Sequence, residues 1–166
     1  MIFRKAVFED NDTVWEIISA AIAQRKADGS EQWQDGYPNT TTINNDIKKG
    51  YGYVLMDAGK MLGYAAIIFD GEPVYEKIEG RWLTDGEYVV VHRVAIAAEA
   101  KGRGLASRIM QEIENIAKAN NIFSIKVDTN FDNMPMLHIL KKMGYSYCGE
   151  VYFRGAARRA YEKIIV

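Results

Sequence analysis

The stretch from Val89 to Asn120 constrains the fold more than any other part of the chain. It holds a run of strand formers, a turn with two glycines, and a long amphipathic helix. Tyr88-Val-Val-Val-His-Arg-Val-Ala-Ile-Ala97 is apolar and β-branched almost throughout, as expected of a strand covered on both faces. Lys101-Gly-Arg-Gly104 makes the turn. Beyond it Leu105, Ile109, Ile113, Ile116 and Ala117 recur at three- and four-residue spacing, the stripe of a helix packed on a sheet.

The turn opens a helix, and that gives it chemistry. The first turn of a helix has free backbone N–H groups and the positive end of the dipole, so anions bind there. Gly102 and Gly104 let the backbone approach a phosphate, and Lys101, Arg103 and Arg108 add positive charge. The plain alternative is a strand-to-helix connection whose glycines serve tight packing. Three phosphate-binding turns compete. A Walker loop fails, because Leu105-Ala-Ser107 follows Gly104 where Lys-Ser/Thr is required. A GxGxxG dinucleotide turn has Ser107 at its third glycine; Asp128 imitates the ribose-binding acid, but the turn comes after two-thirds of the chain. The third is the acyl-CoA turn Gln/Arg-x-x-Gly-x-Gly/Ala. Lys101-Gly-Arg-Gly-Leu-Ala106 fits it with Lys at the first position.

On these residues the chain resembles the GNAT superfamily of N-acetyltransferases. Val94-Ala-Ile96 looks like the family's fourth strand. Asn133, with Gly144-Tyr145 eleven residues on, looks like its fourth-helix signature. The resemblance implies an α/β (α+β) fold with a mixed, mostly antiparallel central sheet and helices on both faces. It also implies an acetyl-CoA-dependent N-acetyltransferase acting on a primary amine of a small molecule or peptide. By it, Val94, Ala95 and Ile96 offer backbone groups to the acyl carbonyl and pantetheine. Lys101, Gly102, Arg103, Gly104, Leu105, Ala106 and Ser107 hold the pyrophosphate, and Asn133 contacts the pantetheine arm or caps its helix.

Transfer to an amine needs a proton acceptor, because a lysine-like amine with a pKa of about 10.4 is mostly protonated at neutral pH. His92 is the candidate base, two residues before the acyl-binding stretch, where the family often places Glu or His; Glu87 is the second choice. The alternative for His92 is an imidazole satisfied inside a sheet. The family's general-acid tyrosine position holds Leu140, so the acid is unassigned; Tyr145, Tyr147 and Tyr152 are conceivable donors. That departure motivates the rival reading of a catalytically inactive CoA-binding sensor or regulatory module. Ser30 to Pro38 lies where the family builds its acceptor pocket. There Trp33 and Tyr37, beside Glu31 and Asp35, suit a cationic amine, or else simply pin a long loop.

The rest of the chain fits one domain spanning residues 1–166. A strand is expected over Met1–Ala6, then a helix capped at Asp10 or Thr13 with a Thr13-x-x-Glu16 box and a buried stripe of Val14, Ile17, Ile18, Ala21 and Ile22. A second helix from about Thr41 buries Ile43 and Ile47. Strands at Tyr51–Met56 and Met61–Phe69 form a hairpin, and Asp70–Gly86 is a polar connection with a helical turn near Val74–Ile78. Ile122–Thr129 is a second parallel strand, a Pro135 helix ends at Gly144, and Tyr145–Phe153 with Arg158–Ile165 make a last hairpin. Apolar residues at 48% and charged residues at 26%, with net charge −1, give no reason for a nucleic-acid partner. No apolar run is long enough to span a membrane, and no leader is expected before Met1. The one cysteine, Cys148, suits a reducing cytoplasm, and two scattered histidines suggest no metal site. A homodimer is compatible with all of this.

Overall fold

The computed structural model describes residues 1–166. In chain order it contains β1 (Ile2–Lys5), α1 (Asn11–Ala27), α2 (Thr40–Lys48), β2 (Gly52–Asp57), β3 (Lys60–Ile68), β4 (Glu79–Gly80), β5 (Val89–Ile96), α3 (Leu105–Ala119), β6 (Ser124–Thr129), α4 (Met134–Lys142), β7 (Ser146–Phe153) and β8 (Ala156–Ile164). Turns of 3-10 helix lie at Phe8–Asp10, Pro73–Lys77 and Ala98–Ala100. The elements form two compact units, Met1–Ile67 with Arg93–Glu112, and Ile68–His92 with Ile113–Val166. Within β5 the chain passes from the second unit to the first at the His92–Arg93 peptide bond.

In the first unit β1, β2 and β3 pair antiparallel, with Phe3 opposite Leu55 and Tyr53 opposite Ala65. Ala58 and Gly59 both take positive φ at the β2–β3 turn, the backbone of a two-residue hairpin whose twist matches its strands. Val14, Ile17, Ile18 and Ala21 of α1 are buried, as the spacing requires, while Ile22 is only half-buried. The start of α1 differs from expectation. The Asp10 side chain does not cap α1; its carboxylate accepts from the Val7 N–H (2.8 Å) and pairs with Arg4 (2.8 and 3.1 Å). That closes a 3-10 turn and starts the helix before Thr13. Asn39 caps α2 by accepting from the Thr42 N–H (3.1 Å). Gly63 of β3 has no room for a side chain: an added Cβ would lie 2.9 Å from Ile109 and 3.1 Å from the Ala95 carbonyl oxygen.

In the second unit the first half of β5 pairs parallel with β6, Val89 beside Ile125 and Val91 beside Val127. β6–β8, β8–β7 and β7–β4 are antiparallel, so the strands are mixed and mostly antiparallel, as the resemblance implied. β4 is the one strand not expected. Two residues carry no period, and it forms because Gly80 and Gly149 bring two backbones close: a Cβ on Gly80 would meet the Cys148 carbonyl oxygen at 2.1 Å. The polar connection after β3 is therefore tied down. Its Leu83 and Thr84 amides donate to Glu162 Oε1 (2.8 and 3.4 Å), and the Thr84 and Ser124 hydroxyls donate to Oε2 (2.5 and 2.7 Å). Glu162 is fully buried and both oxygens are satisfied, which is what makes a buried carboxylate tolerable. No helix is long and apolar enough to cross a membrane.

Replacing Glu162 by Ala leaves two backbone amides and two hydroxyls without their acceptor. The unfolding free energy should fall by about 3 kcal/mol, read as a lowered urea midpoint. An unchanged midpoint would show that the connection is held without Glu162, by its other contacts such as the β4–β7 pairing.

Candidate active site

The second unit brings charge to His92. At the end of the β5 segment that pairs with β6, its imidazole is 13% exposed, Nε2 lies 3.9 Å from Glu72 Oε2, and Nδ1 lies 3.7 Å from Asp128 Oδ1. Both separations are beyond hydrogen-bond reach, so neither carboxylate ties up a ring nitrogen. Asp128 is instead engaged by Tyr75, whose hydroxyl donates to Oδ1 at 2.5 Å. Burial, then the neighbouring Asp128 charge, push the Tyr75 hydroxyl well above its ordinary pKa, so it remains a donor. Tyr75 and Phe153 meet the imidazole edge-on, with centroids 6.2 and 6.0 Å away, and restrict its rotation. Glu87, the second choice of base, is exposed two residues before the strand begins.

In the first unit the next residue departs from strand geometry. Arg93 has φ +56° in the middle of β5. For a non-glycine residue that conformation costs about 1–2 kcal/mol and persists only where its surroundings hold it. Here they do: Nε and Nη2 donate to the two oxygens of Asp46 on α2 (2.8 and 2.6 Å), and Nη1 donates to the Tyr37 hydroxyl. The Tyr64 hydroxyl donates to the same carboxylate at 2.7 Å. Burial is the largest influence and opposes the guanidinium charge, but the Asp46 hydrogen bonds together with the charge interactions of Tyr37, Asp46 and Tyr64 outweigh it, and the Arg93 pKa is raised. Beyond the kink Val94 and Ala95 are buried, Ile96 is half-buried, and the Ala97 N–H donates to the Leu62 carbonyl (2.8 Å).

The glycine turn follows in the same unit. Gly102 and Gly104 have φ +79° and +71°, so glycine is needed for the conformation itself. A Cβ on either would meet nothing within 4 Å, so the space beside the turn is open. Lys101, Gly102, Arg103 and Gly104 are exposed; Leu105 is buried, and Ala106 and Ser107 are half-buried. The Arg108 N–H makes a helical bond to the Gly104 carbonyl at 3.1 Å, which leaves the amides of Leu105, Ala106 and Ser107 as the helix's N-terminal donors. Open space, three such amides and two exposed cations fit a pyrophosphate. Arg108 contributes less than expected, because its Nε donates to Glu112 on the next helical turn (2.9 Å).

Asn133 caps α4, its side chain accepting from the Met136 N–H (3.3 Å). Leu140 is fully buried core. Of the tyrosines weighed as acids, Tyr145 is buried with no partner for its hydroxyl, and Tyr147 is exposed. The exposed Tyr152 donates to Glu79 (2.9 Å), which pushes its pKa up to about 12. Trp33 is 7% exposed, and the Arg25 guanidinium lies 3.7 Å over its ring. Tyr37 is half-buried and bonded to Arg93. Arg93, Asp46, Tyr64, Glu72 and Tyr75 were not among the residues the sequence pointed to. The available signals were an Asp three residues after Ile43 on a buried helix face, and an Arg inside an apolar strand.

The family described as acetyltransferase (GNAT) matches residues 12–145, and the chain belongs to it. It is thus an acetyltransferase of the GNAT type. A GNAT-family acetyltransferase structure from Streptococcus agalactiae superposes with a TM-score of 0.90 at 40% identity, covering 99% of this chain and 95% of that one. The uncharacterized N-acetyltransferase YesJ of Bacillus subtilis (strain 168) is 24% identical over 148 residues, 87% of this chain and 81% of that protein. The yncA structure from Salmonella typhimurium, determined with acetyl-CoA, shares the fold with a TM-score of 0.69 at 15% identity, covering 100% of this chain and 94% of that one.

The burial of Trp33 beneath Arg25 yields a stability prediction. Trp33→Ala should cost about 3–5 kcal/mol by opening a cavity, measured by thermal denaturation. A loss of acceptor use without that destabilisation would make Trp33 a ligand contact instead of a packing residue.

Proposed function

We propose that this GNAT acetyltransferase moves an acetyl group from acetyl-CoA to a primary amine of a small molecule or peptide, with residues 1–166 acting as one domain and His92 as the general base. The observation that carries the reading is the His92 imidazole, held between Glu72 and Asp128 without being hydrogen-bonded to either, one residue before the left-handed Arg93. Acetyl-CoA supplies an activated thioester. The backbone amides of Gly102–Ser107, with Lys101 and Arg103, take its pyrophosphate. Val94–Ile96 orient the acyl end through their backbone, and Asn133 contacts the pantetheine arm. As the amine nitrogen forms its bond to the acyl carbon, it becomes cationic and must lose a proton. His92 takes that proton directly or through one water. The carbon–sulfur bond of the thioester breaks with its electron pair on sulfur, the CoA thiolate takes up a proton from solvent, and the N-acetyl product and the CoA thiol leave. Trp33 and Tyr37 belong to the loop assigned to the acceptor side. The free thiol of Cys148 supports a cytoplasmic setting.

A CoA-binding regulatory module is the second reading, favoured by the fully buried Leu140 where the family often has its tyrosine. Thiol release from acetyl-CoA across a panel of amines separates the two.

His92→Ala should lower turnover by about 10²–10⁴-fold with little change in acetyl-CoA affinity, and His92→Gln should be nearly as impaired. The pH dependence of turnover in both variants should differ from that of the native protein. Near-normal turnover with an unaltered pH profile would make His92 structural.

Gly104→Val places a β-branched residue at positive φ and puts methyl groups into the open space beside the turn. CoA affinity measured by calorimetry should drop about tenfold or more while circular dichroism stays native. Unchanged affinity in the folded variant would remove the turn from the CoA site.

A further inference from the structure

Asp46 occupies a position where a carboxylate is costly. It is 3% exposed on the face of α2 that also carries the fully buried Ile43. Such a group needs strong partners, and it has three donors: Arg93 Nε, Arg93 Nη2 and the Tyr64 hydroxyl. The third donor edge of the guanidinium reaches the Tyr37 hydroxyl. The Asp46–Arg93 pair thereby joins α2, β3, the loop before α2 and the kinked residue of β5, all within the first unit. A stabilising ion pair alone would not require residue 93 to be left-handed. A regular strand conformation there would swing the guanidinium away from both partners. Lysine would not substitute, because a single ammonium cannot fork onto two carboxylate oxygens and still meet a phenol in the same plane.

We propose that Asp46 and Arg93 are positioning residues for acetyl transfer: their paired hydrogen bonds hold residue 93 left-handed and so aim the Val94–Ile96 backbone, while Tyr37 ties the loop to the same strand. Neither side chain touches the reacting atoms. The kinetic side of the proposal rests on the acetyltransferase reading above; the conformational side does not.

Arg93→Ala, Arg93→Gly and Asp46→Asn test it, each compared with the native protein at a temperature where circular dichroism shows all four folded. Glycine takes positive φ without strain, so Arg93→Gly removes the clamp but not the kink, whereas Arg93→Ala removes both. Backbone couplings and chemical shifts should show residue 93 leaving the left-handed region in Arg93→Ala and Asp46→Asn, and staying in Arg93→Gly. Turnover should fall roughly 10²-fold in Arg93→Ala and Asp46→Asn, with acetyl-CoA affinity nearly constant. Arg93→Gly should recover much of that loss despite being no more stable than Arg93→Ala. Equal turnover of the alanine and glycine variants overturns the proposal, as does a residue 93 that stays left-handed in Asp46→Asn and Arg93→Ala. Should the native protein acetylate no amine, the acetyltransferase reading fails while the couplings at residue 93 still decide the clamp.

Discussion

The paired hydrogen bonds between the Arg93 guanidinium and the Asp46 carboxylate fix the point at which β5 stops being an ordinary strand. Up to Val91 the strand pairs in register with β6, and its side chains are buried. Two residues later the backbone is left-handed. Apolar packing does not select such a conformation, since it is non-directional and accommodates small shifts. A fork of donors on two carboxylate oxygens does select one, because it is satisfied in one geometry only. A buried ion pair adds little net stability once its desolvation is counted, and its best-attested use is to specify one arrangement among several.

Each unit then contributes a different electrostatic character. In the second, Glu72 and Asp128 surround the imidazole of His92 with negative charge, and Tyr75 keeps Asp128 oriented. In the first, positive φ at two glycines exposes helix N-terminal amides beside Lys101 and Arg103. The proposed proton acceptor and the turn suited to an anion therefore have opposite surroundings. Neither set of neighbours would serve the other group, since carboxylates beside the glycine turn would repel a phosphate and cations beside His92 would oppose its protonation.

The period of apolar residues made the four helices and seven of the eight strands legible, because burial of one face imposes that period. The turn was legible for a different reason: only glycine takes the φ it needs, so the requirement is written in the residue type. Arg93 carries no such mark. Its φ is imposed by tertiary partners, and an arginine inside Val-Val-Val-His-Arg-Val reads as one strand residue among others. Asp46 was equally silent, since a single polar residue on a helix face is normally solvated. Glu162 sits on β8 with both oxygens satisfied by segments 38 and 78 residues away. Asp10 stands at the N-cap of α1, but its carboxylate serves a 3-10 turn and Arg4 instead of the helix, a tertiary commitment that no local pattern announces.

The segment between β3 and β5 has the composition of a replaceable surface loop, but it is assembled as part of the second unit. Its β4 residues need the glycine opposite them on β7, its Leu83 and Thr84 need the carboxylate on β8, and its Trp82 and Tyr88 rings lie 4.5 and 4.0 Å from the buried ammonium of Lys126 on β6. Anyone exchanging this segment between relatives, to graft a new specificity, would have to transplant Gly149, Glu162 and Lys126 with it. The unit of inheritance is thus a set of residues scattered over four strands, and recombination at the segment's two ends would separate it from the groups that give it shape.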